Sequence, residues 1–269
     1  MAFQTLNAIR LALAIATAAA GLILPAFAQV SPPVTPVSHQ SAVQAVLVEL
    51  FTSEGCSDCP PADALLAQLD STQYVPGAQA IVLSEHVTYW NHEGWRDPFS
   101  LDAMTGRQEV YQHQFSLSEA YTPQIVVDGA EQMVGSDSAK VESAIARAAT
   151  TSKLDIKIED AHRAADGSVD FSVRVPAETK ATLVAVLAEN ATHSEVSRGE
   201  NAGRTLQHVA VVRVLKEFGS SATDGRPLRL SGANLSGAEK AGTPVRLVVF
   251  LVNRKTGHVV AVAEQTLSQ

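Results

Sequence analysis

The stretch VQAVLVELFTSEGCSDCPPAD, Val43 to Asp63, decides how the chain is read. Val43 to Phe51 is short, rich in Val and Leu and free of Gly and Pro, the pattern of a strand buried on both faces. Thr52-Ser53-Glu54-Gly55 ends it and Cys56-Ser57-Asp58-Cys59 follows. Ala62, Leu65, Leu66 and Leu69 then share one side of a helix, whose first turn accepts Pro60 or Pro61 because the proline nitrogen has no hydrogen to leave unpaired. Ala78 to Ser84 reads as a second buried strand, set parallel to the first by the helical crossover.

Downstream, Glu85 to Ser100 carries His86, Tyr89, Trp90, His92 and Trp95, too aromatic for an idle connector. Leu101 to Phe115 is expected as an inserted helix. Gln124 to Val127 is a strand introduced by Thr122-Pro123 and turned by Asp128-Gly129 into a partner at Glu131 to Val134. Val141, Ile145 and Ala148 mark a closing helix from Ser138 to Ala149. After Thr151 the pattern changes to alternation: Leu154, Ile156 and Ile158, then Val169, Phe171, Val173 and Val175. Further strand-like runs follow at Ala181 to Ala188, Gln207 to Leu215, Pro227 to Leu230, Val245 to Val252 and His258 to Gln265. The expectation is an α/β domain over residues 43–151 with a helical insertion, then a separate all-β immunoglobulin-like sandwich over residues 152–269.

Upstream, Arg10 precedes an apolar run from Leu11 to Leu24 and the small-residue end Pro25-Ala26-Phe27-Ala28. That order is expected of a signal peptide over residues 1–28, cleaved after Ala28, with residues 29–42 as a flexible leader. The run is shorter than the roughly 20 apolar residues that span a bilayer. Arg10 stands alone, so no twin-arginine signal is present, and no cysteine is placed to take a lipid anchor. A periplasmic or secreted protein without a stable membrane anchor is expected. Of 269 residues, 46% are hydrophobic and 18% charged, a balance that excludes a disordered chain. The formal charge of -8 argues against a nucleic-acid partner, which requires clustered Lys and Arg.

Cys56 and Cys59 are the chain's two cysteines. Two residues apart at a helix start, they can bridge. Closing so small a loop removes little entropy from the unfolded chain, so a purely structural bond stabilises weakly. Thiolates near a helix start are favoured by its unpaired N–H groups. The expected chemistry is thiol-disulfide exchange, with Cys56 as exposed nucleophile and Cys59 as buried resolving partner. Protein thiols or disulfides are the partners, and no organic cofactor is implied.

These residues resemble the thioredoxin superfamily, in which an apolar strand carrying one carboxylate leads into C-x-x-C. The resemblance implies that Glu49 assists proton transfer at the inner cysteine and that Tyr121-Thr122-Pro123 is a cis-proline segment beside the disulfide, docking extended substrate chain. ELFTSEGCSDCPPAD, LSEHVTYWNHEGWRDPFS, YTPQIVVDG and VSRGENAGRTLQHVAVVRVL together resemble an uncharacterised family of secreted bacterial proteins with a thioredoxin-like domain, domain of unknown function 1223. Gly55 stands where thioredoxins usually carry Trp. Asp58 disfavours a thiolate at Cys56, and a helix starting at Pro60 would leave Cys56 in the loop.

Two further function classes compete. Cys56, Cys59, His86 and His92 could hold zinc or copper, although their spacing is a weak signal. Alternatively, the chain is a binding module stapled by an inert disulfide. His86, Trp90 and Trp95 are candidates for substrate contact because ligands gather at the carboxyl ends of parallel strands, while the tryptophans could equally pack the inserted helix. The loop Ser197 to Arg204 is either a solvated turn or a ligand or domain-interface site.

Overall fold

Gln44–Thr52 forms strand β1, which pairs in parallel with β2, Ala78–His86, after a crossover through helix α1, Pro60–Thr72. Against the other edge of β1 lies β3, Gln124–Val127, antiparallel and joined by a tight turn to β4, Glu131–Val134. Helix α2, Asp102–Gln114, is the insertion, and α3, Ser138–Ala148, is capped by Asp137, whose carboxylate accepts from the Lys140 amide. The computed structural model describes residues 43–176, 179–235 and 244–268. The expected signal peptide and leader, residues 1–42, lie outside the described residues. Among those, no helix is long and apolar enough to cross a membrane.

The second half departs from expectation. It contributes β5, Lys157–Arg163; β6, Val169–Arg174; β7, Thr182–Glu195; β8, Thr205–Phe218; β9, Leu228–Leu230; β10, Val245–Val252; and β11, Val259–Leu267. Four of these strands extend the first sheet. The result is one mixed eight-stranded sheet of order β11-β10-β7-β8-β2-β1-β3-β4, beside a three-stranded sheet β5-β6-β9. The expected α/β thioredoxin-like domain followed by an immunoglobulin-like sandwich is therefore overturned. The large sheet runs through the pattern change at Thr151, with β8 beside β2 at Ser84 and Val211.

Strand periodicity explains how the layers fill. On β7, Val184, Val186 and Ala188 join the core that includes β1, β2 and α1, while Leu183, Ala185 and Leu187 face the small sheet with Phe171 and Val173. On β10, Val248 and Phe250 face the first core and Leu247, Val249 and Leu251 the second. Buried on both sides, these strands read as continuous apolar runs. A buried ion pair ties the halves where the chain passes between them: Lys153 Nζ is 2.8 Å from the Asp128 carboxylate and donates to the Ala45 carbonyl at 2.7 Å.

Candidate functional site

Cys56 and Cys59 form a disulfide in the turn between β1 and α1. The regular helix starts at Pro60 with Cys59 at its N-cap, so Cys56 lies in the preceding loop. The Ala62 and Asp63 amides donate to the Cys59 carbonyl, and the Cys59 amide to that of Cys56. Both cysteines are buried, Cys56 at 1% exposure and Cys59 at 0%. This corrects the expectation that Cys56 stands open.

Several predicted residues converge here. The Thr122–Pro123 peptide is cis, Pro123 is buried, and β3 begins at once beside the end of β1. Trp90 Nε1 donates to the Thr122 hydroxyl at 2.7 Å. A Cβ on Gly55 would stand 3.0 Å from Trp90 Cβ. Gly55 is therefore small because Trp90, from the loop after β2, occupies the space above it. Trp95 Nε1 donates to the Glu54 carboxylate at 2.8 Å. Each tryptophan is half-buried and bonded inward. His86 is fully buried, with Nδ1 2.7 Å from Asp97.

Glu49 and His92 do not join them. Side chains alternate along β1: Leu50 meets Gly135 near Ala62 of α1, and Thr52 donates to Asp63 of α1. Glu49 projects from the opposite face, where Arg107 Nε reaches it at 2.6 Å and Tyr111 donates at 2.5 Å. Glu85 lies in the same buried group; burial and then the Glu49 carboxylate push its carboxyl well above the usual range. His92 is exposed, beside Glu93, whereas His86 is fully buried. Among the described residues, no group of three or more His, Cys, Asp and Glu side chains could hold a metal ion, so the four-residue metal set is not assembled.

In place of Glu49, a different set of ionisable groups surrounds the cysteine turn. His208, from β8, reaches Glu54 through Nε2 at 3.2 Å and Asp63 through Nδ1 at 3.6 Å, linking the residues just before and just after the C-x-x-C. Its ring meets that of His86 edge to face at 4.6 Å. Asp97 accepts from the Glu54 amide at 2.9 Å. Burial alone would lower the His208 pKa, but the Asp63 and Glu54 carboxylates raise it to about 10. Asp97 is pushed up by burial yet brought down to about 2 by the facing His86 and by the Glu54 and Phe99 amides.

The loop between β7 and β8 covers this assembly. Asn201, fully buried, donates through Nδ2 to the carbonyls of Glu54 and Cys56, each at 2.9 Å. Glu200 accepts from the Ser57 amide at 3.1 Å. Of these residues, His208 was findable: it falls in phase with inward-facing Leu206, Ala210 and Val212 on an alternating strand. Asp63 and Asn201 carry no comparable signal.

Residues 47–251 match the family model described as a protein of unknown function, DUF1223. The chain belongs to the DUF1223 family. No curated protein matches it. This DUF1223 chain is similar to a crystal structure of an Agrobacterium tumefaciens protein, at 25% identity and a TM-score of 0.61, covering 85% of this chain and 95% of that one. HBP35 of Porphyromonas gingivalis, at 14% identity and a TM-score of 0.53 over 84% of this chain and 76% of that one, shares the fold alone.

Proposed function

We infer that Cys56 and Cys59 form a thiol-disulfide exchange centre of an exported protein, acting on protein thiols or disulfides. The reading draws on the resemblance of the strand, C-x-x-C turn and helix to those of thioredoxins. One observation carries it: buried Glu54, Asp63 and His208 bracket the cysteine turn. Burying charges costs desolvation that their pairing repays only in part, and such groups gather where protons must be exchanged. A staple of so short a loop gains little from these neighbours.

In the reduced state the Cys56 thiolate attacks a partner disulfide, forming a mixed disulfide and releasing one partner sulfur as a thiolate that takes up a proton. Cys59, giving up its proton, attacks Cys56 Sγ; the Cys56–Cys59 bond forms and the second partner sulfur leaves. The partner gains two electrons and two protons. Starting from the oxidised state, a partner dithiol runs the same steps backwards. Cys56→Ser is expected to abolish exchange with a protein dithiol, followed by quenched thiol alkylation; unchanged exchange in that variant refutes the reading.

The burial of both cysteines favours a second reading, a binding module with a structural disulfide. In that case the folded, oxidised protein resists dithiols, and reduction lowers its melting temperature. An exchange centre instead equilibrates with a dithiol buffer while folded.

A further inference from the structure

The loop Val196 to Arg204 is self-contained. The Val196 amide donates to the Arg204 carbonyl at 3.0 Å and the Gly203 amide to the Val196 carbonyl at 2.7 Å, so its base stays closed whatever its tip does. At the tip, Gly199 has a positive φ of 76°, and a Cβ there would stand 3.1 Å from both the Glu93 carbonyl and Trp95 Cβ. Glycine thus lets the tip wedge between the Trp95 segment and the cysteine turn. Asn201 then does what no other residue type of its size does as well: one buried amide nitrogen serves two backbone carbonyls, while Oδ1 accepts from Arg204 Nη1 at 3.0 Å.

We propose that Asn201 is a positioning residue of this centre: its carboxamide holds the Glu54–Cys56 turn under the Val196–Arg204 loop, and its release opens Cys56 to an attacking thiol. The assignment rests on the exchange reading for its purpose, though not for its geometry. With Cys56 at 1% exposure, the attacking sulfur has no approach until something moves. The loop has few polar ties to the cysteine turn, two bonds from Asn201 and one to Glu200, against the full ladders that hold β1 and β2. Opening it transfers the Glu54 and Cys56 carbonyls to water, so each broken bond is replaced. That is why local opening of this kind is cheap relative to unfolding.

The test uses the oxidised chain and dithiothreitol, which gives up two electrons and two protons to the disulfide and becomes a cyclic disulfide itself. Asn201→Ala removes both of its bonds in the closed state, leaving the Cys56 carbonyl with the Cys59 amide alone, whereas in the open state water takes its place at both carbonyls. It is expected to speed reduction about tenfold, the effect of two ordinary hydrogen bonds on an opening equilibrium. Asn201→Asp, with oxygen facing both carbonyls, should be at least as fast. Glu200→Ala, a change on the loop's outer side, should accelerate reduction about threefold, and it decides the matter if the Asn201 variants do not fold. In wild type, the reduction rate should stay nearly flat in low urea, as local opening exposes little surface. Rates unchanged in the folded variants, or a urea dependence as steep as that of global unfolding, overturn the assignment. If the variants are reduced faster by dithiothreitol yet neither they nor wild type exchange with a protein dithiol, the exchange reading falls while the role of Asn201 stands.

Discussion

His208 keeps its proton because two carboxylates face it where all three side chains are buried. Glu54 approaches from the cysteine turn and Asp63 from α1, while His86 packs across its ring with Asp97 behind. A histidine held at a pKa of about 10 in the fold, against about 6.5 when free, binds a proton in the native state that the unfolded chain has already released. Its contribution to stability is therefore complete below about pH 6.5 and is lost as pH rises toward 10. Wild type should accordingly melt at progressively lower temperature between those limits, and His208→Gln should flatten that slope. An unaltered slope in the variant, followed by circular dichroism, would place the proton elsewhere. Strand phase explains why Glu49 does not join this group: one residue along a strand reverses the face, and Glu49 is out of phase with Thr52, which touches Asp63.

Among the elements, α2 acts as a clamp on the adjacent parallel strands β1 and β2. Arg107 reaches Glu49 on β1 at 2.6 Å and Glu85 on β2 at 3.5 Å, and lies over the ring of Phe250 on β10 at 5.3 Å. Removing one partner of a buried ionic group leaves charge uncompensated, so Arg107→Ala should cost about 3–5 kcal/mol in urea unfolding. Glu85→Gln, which keeps the shape and discards an acid that burial already opposes, should cost far less. Elements of the first half were legible because each has its own local signal: the apolar run of β1, the Pro60-Pro61 entry to α1, and the Asp128-Gly129 turn between β3 and β4. Glu49 could be recognised as out of place on a buried strand, but its partner Arg107 is 58 positions away, with nothing in the spacing to announce it. In the second half, alternation told which side chains of β6 share a face. It could not tell that β8 would lie beside β2, since a period of two specifies faces and not neighbours.

Across the whole molecule, the first core is completed by the second half of the chain. Val186 and Ala188 of β7, Ala210 and Val212 of β8, and Phe250 of β10 belong to the same apolar cluster as Leu47, Leu66 and Ile81. A fragment of residues 43–151 would expose the β2 edge and lose the Lys153 partner of Asp128. It is expected to show no cooperative thermal transition, whereas a transition resembling that of the intact chain would reveal an independent folding unit. The cover over the cysteines has a further bearing on how the molecule matures. Asn201 and Cys56 are 145 positions apart, so a chain emerging from its amino end presents both sulfurs long before their lid has been made. Any thiol reagent reaches them most freely during that interval; afterwards, access is set by the finished protein itself.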